Sequence, residues 1–148
     1  ADQFSKFVVR ESLPFGTAIP SEGVLRLRHV ANDGIIFGVD ADPAVSLILP
    51  FLLMIATLFL CQRYVGFKSP LLNTALALFV CGGLGNLIDR LALGHVTDFI
   101  DVGLPWASVG VTLNIADLTV AAGAVLFVVF VVNSLREAES RHPQPTSP

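Results

Sequence analysis

Charge is scarce in this 148-residue chain: Asp, Glu, Lys and Arg together make up 14% of it, roughly half the share usual in a soluble domain. The net charge is only −3, and the few Lys and Arg residues gather into no patch, so the electrostatic footprint of a nucleic-acid binder is missing. Cysteine is nearly absent too. Cys61 and Cys81 stand about twenty residues apart, each inside an apolar run, which reads as two buried small hydrophobes rather than a disulfide or a metal pair. His29, His95 and His142 are scattered and no HExxH occurs, so no metal-ligand set is expected. No signal-peptide pattern is visible. The chain opens ADQFSK without an initiator Met, and Phe4, Phe7, Val8 and Val9 are too few to cross a bilayer. A further apolar segment is therefore expected upstream.

What the chain does have is long apolar runs. Hydrophobic residues make up 53% and the mean hydropathy is +0.73, which places the chain among membrane proteins, as a single membrane domain over 1–148. Residues 44–62 and 71–93 are long enough to span, and a third span runs over 117–133, since about twenty residues at 1.5 Å rise cover a hydrocarbon core of roughly 30 Å. Pro50 should kink the first of these spans, which membrane helices tolerate. The short linker Arg63-Tyr64-Val65-Gly66-Phe67-Lys68 has the aromatic and basic character of an interfacial turn.

Outside the spans the pattern is of strands. Residues 1–43 form a β segment in this reading. Val24 to Val30 alternates over part of its length, Asn32-Asp33-Gly34 supplies a turn, and Ile35 to Val39 is apolar again; together these make a hairpin signal. Residues 94–116 are broken by Gly94, Gly103, Pro105 and Gly110 and read as a loop. The charged, Pro-rich tail 134–148 reads as disordered. An odd number of spans sets the chain ends on opposite sides. Lys6, Arg10, Arg26, Arg28 and Arg90 fall on one side, with Arg63, Lys68, Arg136 and Arg141 on the other, which decides nothing by number. The short Arg63–Lys68 loop is the better witness of a cytoplasmic side. That makes 1–43 and 94–116 extracytoplasmic and the tail cytoplasmic.

The expensive residues sit together. Between Gly82 and Asp117 the chain places Asn86, Asp89, Arg90, Asp98, Asn114 and Asp117 beside apolar segments, and ionisable groups near a bilayer usually face a bundle interior and mark function. Gly82, Asn86, Asp89 and Arg90 fall at i, i+4, i+7 and i+8, one helical stripe. Asp98 lies just past the second span and Asp117 opens the third, so both belong to one membrane face. Two neighbouring carboxylates share a proton and titrate as a unit. That suits peptide hydrolysis, in which the charged member takes a proton from water and the neutral one donates. Plainer readings stand beside this one. Asn114 to Asp117 is also a helix N-cap followed by an acid, Asp89 and Arg90 an interfacial ion pair, Asp101 a solvated loop residue, and His95 a surface histidine.

The joint pattern GNLIDRLALGHVTDFID followed by NIAD, with Asp2-Gln3-Phe4-Ser5-Lys6 before and Asn32-Asp33-Gly34-Ile35-Ile36-Phe37 between, resembles the bacterial lipoprotein signal peptidases, the type II signal peptidases, over about residues 1–133. The resemblance implies a membrane α-helical bundle with a small extracytoplasmic β-sheet: three spans here and a fourth, N-terminal span that this chain lacks. It implies a multi-pass aspartic endopeptidase of the bacterial inner membrane, with its active site at the extracytoplasmic face. The enzyme would cut a diacylglyceryl-modified prolipoprotein before its lipidated cysteine, as a monomer among membrane lipid and without a cofactor. Asp98 and Asp117 are its implied catalytic pair. Asp2, Lys6, Asn32, Gly34, Gly82, Asn86, Arg90 and Asn114 are implied to orient the pair or hold substrate. Ile35, Ile36, Cys81 and Leu113 depart from the residues common in that family. Two other readings compete: a small transporter or proton-relay subunit using Asp89, Asp98 and Asp117, and a binding-only relative. A relay would want its acids near mid-membrane.

Overall fold

The computed structural model describes residues 1–34, 42–103 and 110–141. In chain order these form helix α1 (Asp2–Ser12), strands β1 (Ala18–Ile19) and β2 (Leu25–Asn32), helices α2 (Pro43–Tyr64) and α3 (Pro70–Leu93), strands β3 (Val96–Gly103) and β4 (Gly110–Leu113), and helix α4 (Ile115–Arg141). The long helices start where their sequences tell them to. Asp42 accepts a hydrogen bond from the Ala44 amide ahead of Pro43, and Ser69 accepts one from the Leu72 amide ahead of Pro70, which is the N-cap and N1-proline arrangement. Gly94, at φ +82°, ends α3 in the left-handed conformation that favours glycine. At 22 and 24 residues, α2 and α3 reach about 33 and 36 Å, enough for a bilayer core.

The helices α2, α3 and α4 are long and apolar enough to cross a membrane, with mean hydropathies of 2.6, 1.8 and 2.5 over their best windows. The least apolar, α3, is also the most covered, because its polar and small residues turn inward. Gly82 lies against α4 so closely that a Cβ would meet the Ala116 carbonyl at 2.5 Å and the Val120 side chain at 2.7 Å. Gly123 of α4 in turn leaves no room before the Ala75 carbonyl of α3. Small residues let membrane helices approach at backbone distance. The expected outcome for Gly82→Ala is a loss of about 1–3 kcal/mol from overpacking, read as a lower melting temperature in detergent. Activity should fall with it, since the start of α4 carries Asp117.

Four antiparallel strands, in the order β1-β2-β3-β4, form a sheet at the end of the bundle where α3 stops and α4 begins. The expected second hairpin arm, Ile35 to Val39, lies outside the described residues. Within them β2 pairs with β1 on one edge and with β3 on the other, Arg26 opposite Asp101 and Val30 opposite Asp98.

Three expectations are corrected. The opening of the 1–43 segment is helical, not extended. Its inward face is the polar one: Lys6 is fully buried, with Gln3 and Arg10 half-buried beside it, while Phe4 and Phe7 are exposed. Phe4, Phe7 and Val8 do fall at helical spacing, but the stripe is short and faces outward, while the polar side faces in. The loop reading of 94–116 gives way in part to β3 and β4; the β-rich run Val96 to Val102 finds its hydrogen-bond partners in the distant β2. Finally, α4 does not stop at 133 but continues to Arg141. Leu135, Arg136, Glu137, Ala138 and Glu139 are good helix formers, and leaving the apolar run does not end the hydrogen-bond ladder.

Candidate active site

Asp98 and Asp117 come from different elements and meet through a third residue. Asp98 stands on β3, fully buried beside the end of α3; Asp117 is in the first turn of α4. Asn114, also buried, serves both. Its Nδ2 donates to Asp98 Oδ1 at 2.6 Å, its main-chain N–H donates to Asp117 Oδ2 at 3.0 Å, and its Oδ1 accepts from the Asp117 amide at 2.9 Å. The last two bonds form a reciprocal cap of the α4 N-terminus. The plain N-cap reading and the site reading of this stretch are both true, because the cap is what aims Asp117.

Every other oxygen of the pair is also held. Asn32 Nδ2 donates to Asp98 Oδ2 at 2.9 Å, and Asn86 Nδ2 donates to Asp117 Oδ1 at 2.8 Å. Asn32 is itself set by the Gly34 amide, which donates to its Oδ1, and the Gly34 carbonyl accepts from Arg90 Nη2. A cavity of about 240 Å³ is lined by Asn32, Asn86, Arg90, Asp98 and Asp117 together with β4 and α4 residues. A second cavity, about 170 Å³ and mostly apolar, lies among α2, α3 and α4 and shares Asn86, Arg90 and Asp117 with the first.

Behind the pair is a buried ionic cluster centred on Lys6. Its ammonium reaches Asn86 Oδ1 at 2.9 Å, Asp2 Oδ2 at 3.0 Å and Asp89 Oδ2 at 3.2 Å, using all three of its donors. Asp2 carries the contact on to α4, accepting the Ala116 amide at 2.9 Å. Thus α1 is tied to both helices that present the site.

Of the residues expected at the site, Asp2, Lys6, Asn32, Gly34, Asn86, Arg90 and Asn114 join this network around Asp98 and Asp117. Gly82 does not reach it, and acts at the α3–α4 contact instead. Two plain readings are overturned. Asp89 is buried and pairs with Lys6, not with Arg90, and also accepts from Gln3 and from the Thr97 amide. Asp101 is buried rather than solvated, and pairs with Arg26 across the β2–β3 register at 2.6 Å. Gln3 was missed as a site residue: its Nε2 donates to the Gly85 carbonyl and to Asp89. Its position three residues before Lys6 on one helical face was the available signal. Gly85 was missed as well, although a Cβ there would lie 2.8 Å from the Asp2 carboxylate. Among the described residues no group of three or more His, Cys, Asp or Glu could hold a metal ion.

Burial pushes the Asp98 carboxyl up from 3.8 to about 6; the charge of Asp117 pushes the same way, while hydrogen bonds from Asn32 and Asn114 and the charge of Lys6 pull it back. Below about pH 6, Asp98 therefore holds its proton and can act as a donor. Asn32→Ala removes one downward influence. The pH limb due to Asp98 should move above 6 in that variant, which a profile of kcat/KM against pH will show.

A membrane-helix bundle with a surface sheet and two aspartates joined by one asparagine at a shared cavity defines a membrane peptidase of the aspartic class. A family model described as Signal peptidase (SPase) II matches residues 1–133, and the chain belongs to that family. Among its relatives, a lipoprotein signal peptidase of Dehalococcoides mccartyi is 38% identical over 90% of this chain and 84% of its own length. One of Moorella thermoacetica is 33% identical over 84% and 81% respectively. A solved bacterial membrane enzyme superposes with a TM-score of 0.75 at 23% identity, covering 99% of this chain and 87% of its own, which shows a common fold.

Proposed function

We propose that Asp98 and Asp117 are the catalytic pair with which this signal peptidase removes the signal peptide from prolipoproteins. The observation that carries the assignment is Asn114 donating to both carboxylates at one cavity. Donors converge on Asp117 from Asn86 and Asn114, which suits a carboxylate acting as acceptor. Asp117 takes a proton from water as the oxygen attacks the scissile carbonyl. Asp98, neutral, donates to the carbonyl oxygen, and a proton is then passed to the leaving amine as the tetrahedral intermediate collapses. No metal or cofactor enters these steps.

The substrate is a prolipoprotein whose cysteine carries a diacylglyceryl group, and the cut falls just before that cysteine. The second cavity supports this: it is walled by Leu47, Pro50, Phe51 and Met54 and meets the first at Asn86, Arg90 and Asp117, so an acyl chain placed there sets the adjacent peptide bond before the pair. The sheet and the site lie at the extracytoplasmic face of a bacterial inner membrane, with the Arg63–Lys68 turn on the other side. A relay reading loses its third acid, because Asp89 is spent on Lys6. The test is a matched pair of synthetic prolipoprotein peptides, with and without the diacylglyceryl group. The lipidated peptide should be cut at least tenfold faster at equal concentration. Equal rates would remove the acyl chain from the recognition.

A further inference from the structure

Main-chain hydrogen-bonding groups on the outer edge of β4 end at the catalytic cavity. β4 is the last strand of the sheet, and among the described residues its outer side pairs with nothing. Proteins normally blunt such an edge with proline, charge, a bulge or a cover, because unpaired N–H and C=O groups recruit another strand. The sequence of β4, Gly-Val-Thr-Leu, has neither proline nor charge, and Gly110 and Val111 are exposed. At the opposite edge, by contrast, β1 is only two residues long. The unblunted edge leads to the site: Thr112 and Leu113 line the cavity with Asp98 and Asp117, and the next residue is Asn114.

The two-residue period of a strand says what each contributes. Leu113 lies opposite Ile100, on the face of β3 that also carries Asp98, and so offers the cavity its side chain. Thr112 lies opposite Asp101, whose carboxylate turns to Arg26 on the other face. What Thr112 presents to the cavity is main chain.

We infer that β4 is a binding edge for the substrate chain on the mature side of the scissile bond, which adds to the sheet as a fifth, antiparallel strand. This rests on the reading that Asp98 and Asp117 cut the peptide. Direction follows from topology. β4 runs toward the pair and α4 carries the chain from there into the membrane, so a peptide leaving the pair away from the bilayer runs opposite to β4. The four residues of β4 match about four residues after the lipid-bearing cysteine at one pair per strand residue. Recognition through main chain gives affinity with little demand on side chains.

The test uses the full chain in detergent and a lipidated prolipoprotein peptide. Each of the four peptide bonds after the cysteine is replaced in turn by an ester, which removes one N–H donor without adding bulk. Pairing predicts a KM raised about five- to tenfold at alternate positions, with kcat unchanged and the intervening positions near the parent. N-methylation at the same alternate positions should do the same, because it also removes the N–H. Equal KM at all four ester positions, or a kcat loss without a period of two, overturns the pairing. Failure of Asp98→Asn to stop cleavage of the parent peptide would instead overturn the catalytic assignment on which the inference rests, so the two failures are separable.

Discussion

Asp98→Asn and Asp117→Asn are each expected to abolish signal-peptide removal, lowering kcat by about 10²–10⁴-fold with KM little changed and the melting temperature lowered by only a few degrees. Asn keeps the size of the side chain, and its one oxygen can still accept one of the two hydrogen bonds each carboxylate receives, while its NH2 faces the other donor, so one bond of each pair is lost. What is lost is the exchangeable proton. Because one acid cannot perform both transfers, the double variant should be no slower than either single one, as is usual for residues that act as a unit. Single-turnover cleavage of a lipidated peptide checks this. A variant that retains more than a few per cent of the rate would take its residue out of the catalytic role. In the unmodified enzyme kcat/KM should trace a bell against pH. Its alkaline limb falls near 6, as the pair gives up the proton that burial holds on Asp98, and both limbs belong to the pair.

Lys6→Met should be the most destabilising single change among the residues discussed. It leaves Asp2 without its cation and Asp89 with only Arg10, at 4.0 Å. Removing one partner of a buried ion pair costs about 3–5 kcal/mol, and for a chain of this size each kcal/mol shifts the melting temperature by roughly 2–4 °C. A drop of roughly 10 °C in detergent is therefore expected. Activity should fall as well, because Lys6 fixes the Asn86 carbonyl oxygen and with it the N–H aimed at Asp117. Adding Asp89→Asn to Lys6→Met removes one stranded charge and should recover part of the lost stability. The same Asp89→Asn change alone should destabilise. That reversal of sign is the coupling a double-mutant cycle measures. If both backgrounds respond alike, the Lys6–Asp89 contact contributes nothing.

The sheet carries a similar lesson at smaller scale. Arg26 and Asp101 are charged residues on neighbouring strands, and their pairing at 2.6 Å depends on a register between segments some seventy residues apart. Read along the chain, Asp101 stands between Ile100 and Val102 with no Lys or Arg within ten residues.

The sequence by itself determined the membrane class, the starts of the first two long helices to within a residue of 44 and 71, and the gathering of polar residues between Gly82 and Asp117. These follow from local physics. An apolar run of about twenty residues has one cheap environment, capping is decided within a few residues, and a stripe at helical spacing follows from the 3.6-residue turn. It also singled out Asp98 and Asp117 by motif and by their place at the span ends. Only the tertiary structure decided that Asn114 joins the two acids, that Asp89 answers Lys6 across more than eighty residues of sequence, and that α1 is a helix with its polar side inward. Each depends on what faces a residue from another part of the chain. A lysine is costly to bury until carboxylates from α1 and α3 surround it, and a strand-rich run is a loop until a distant strand supplies its hydrogen bonds.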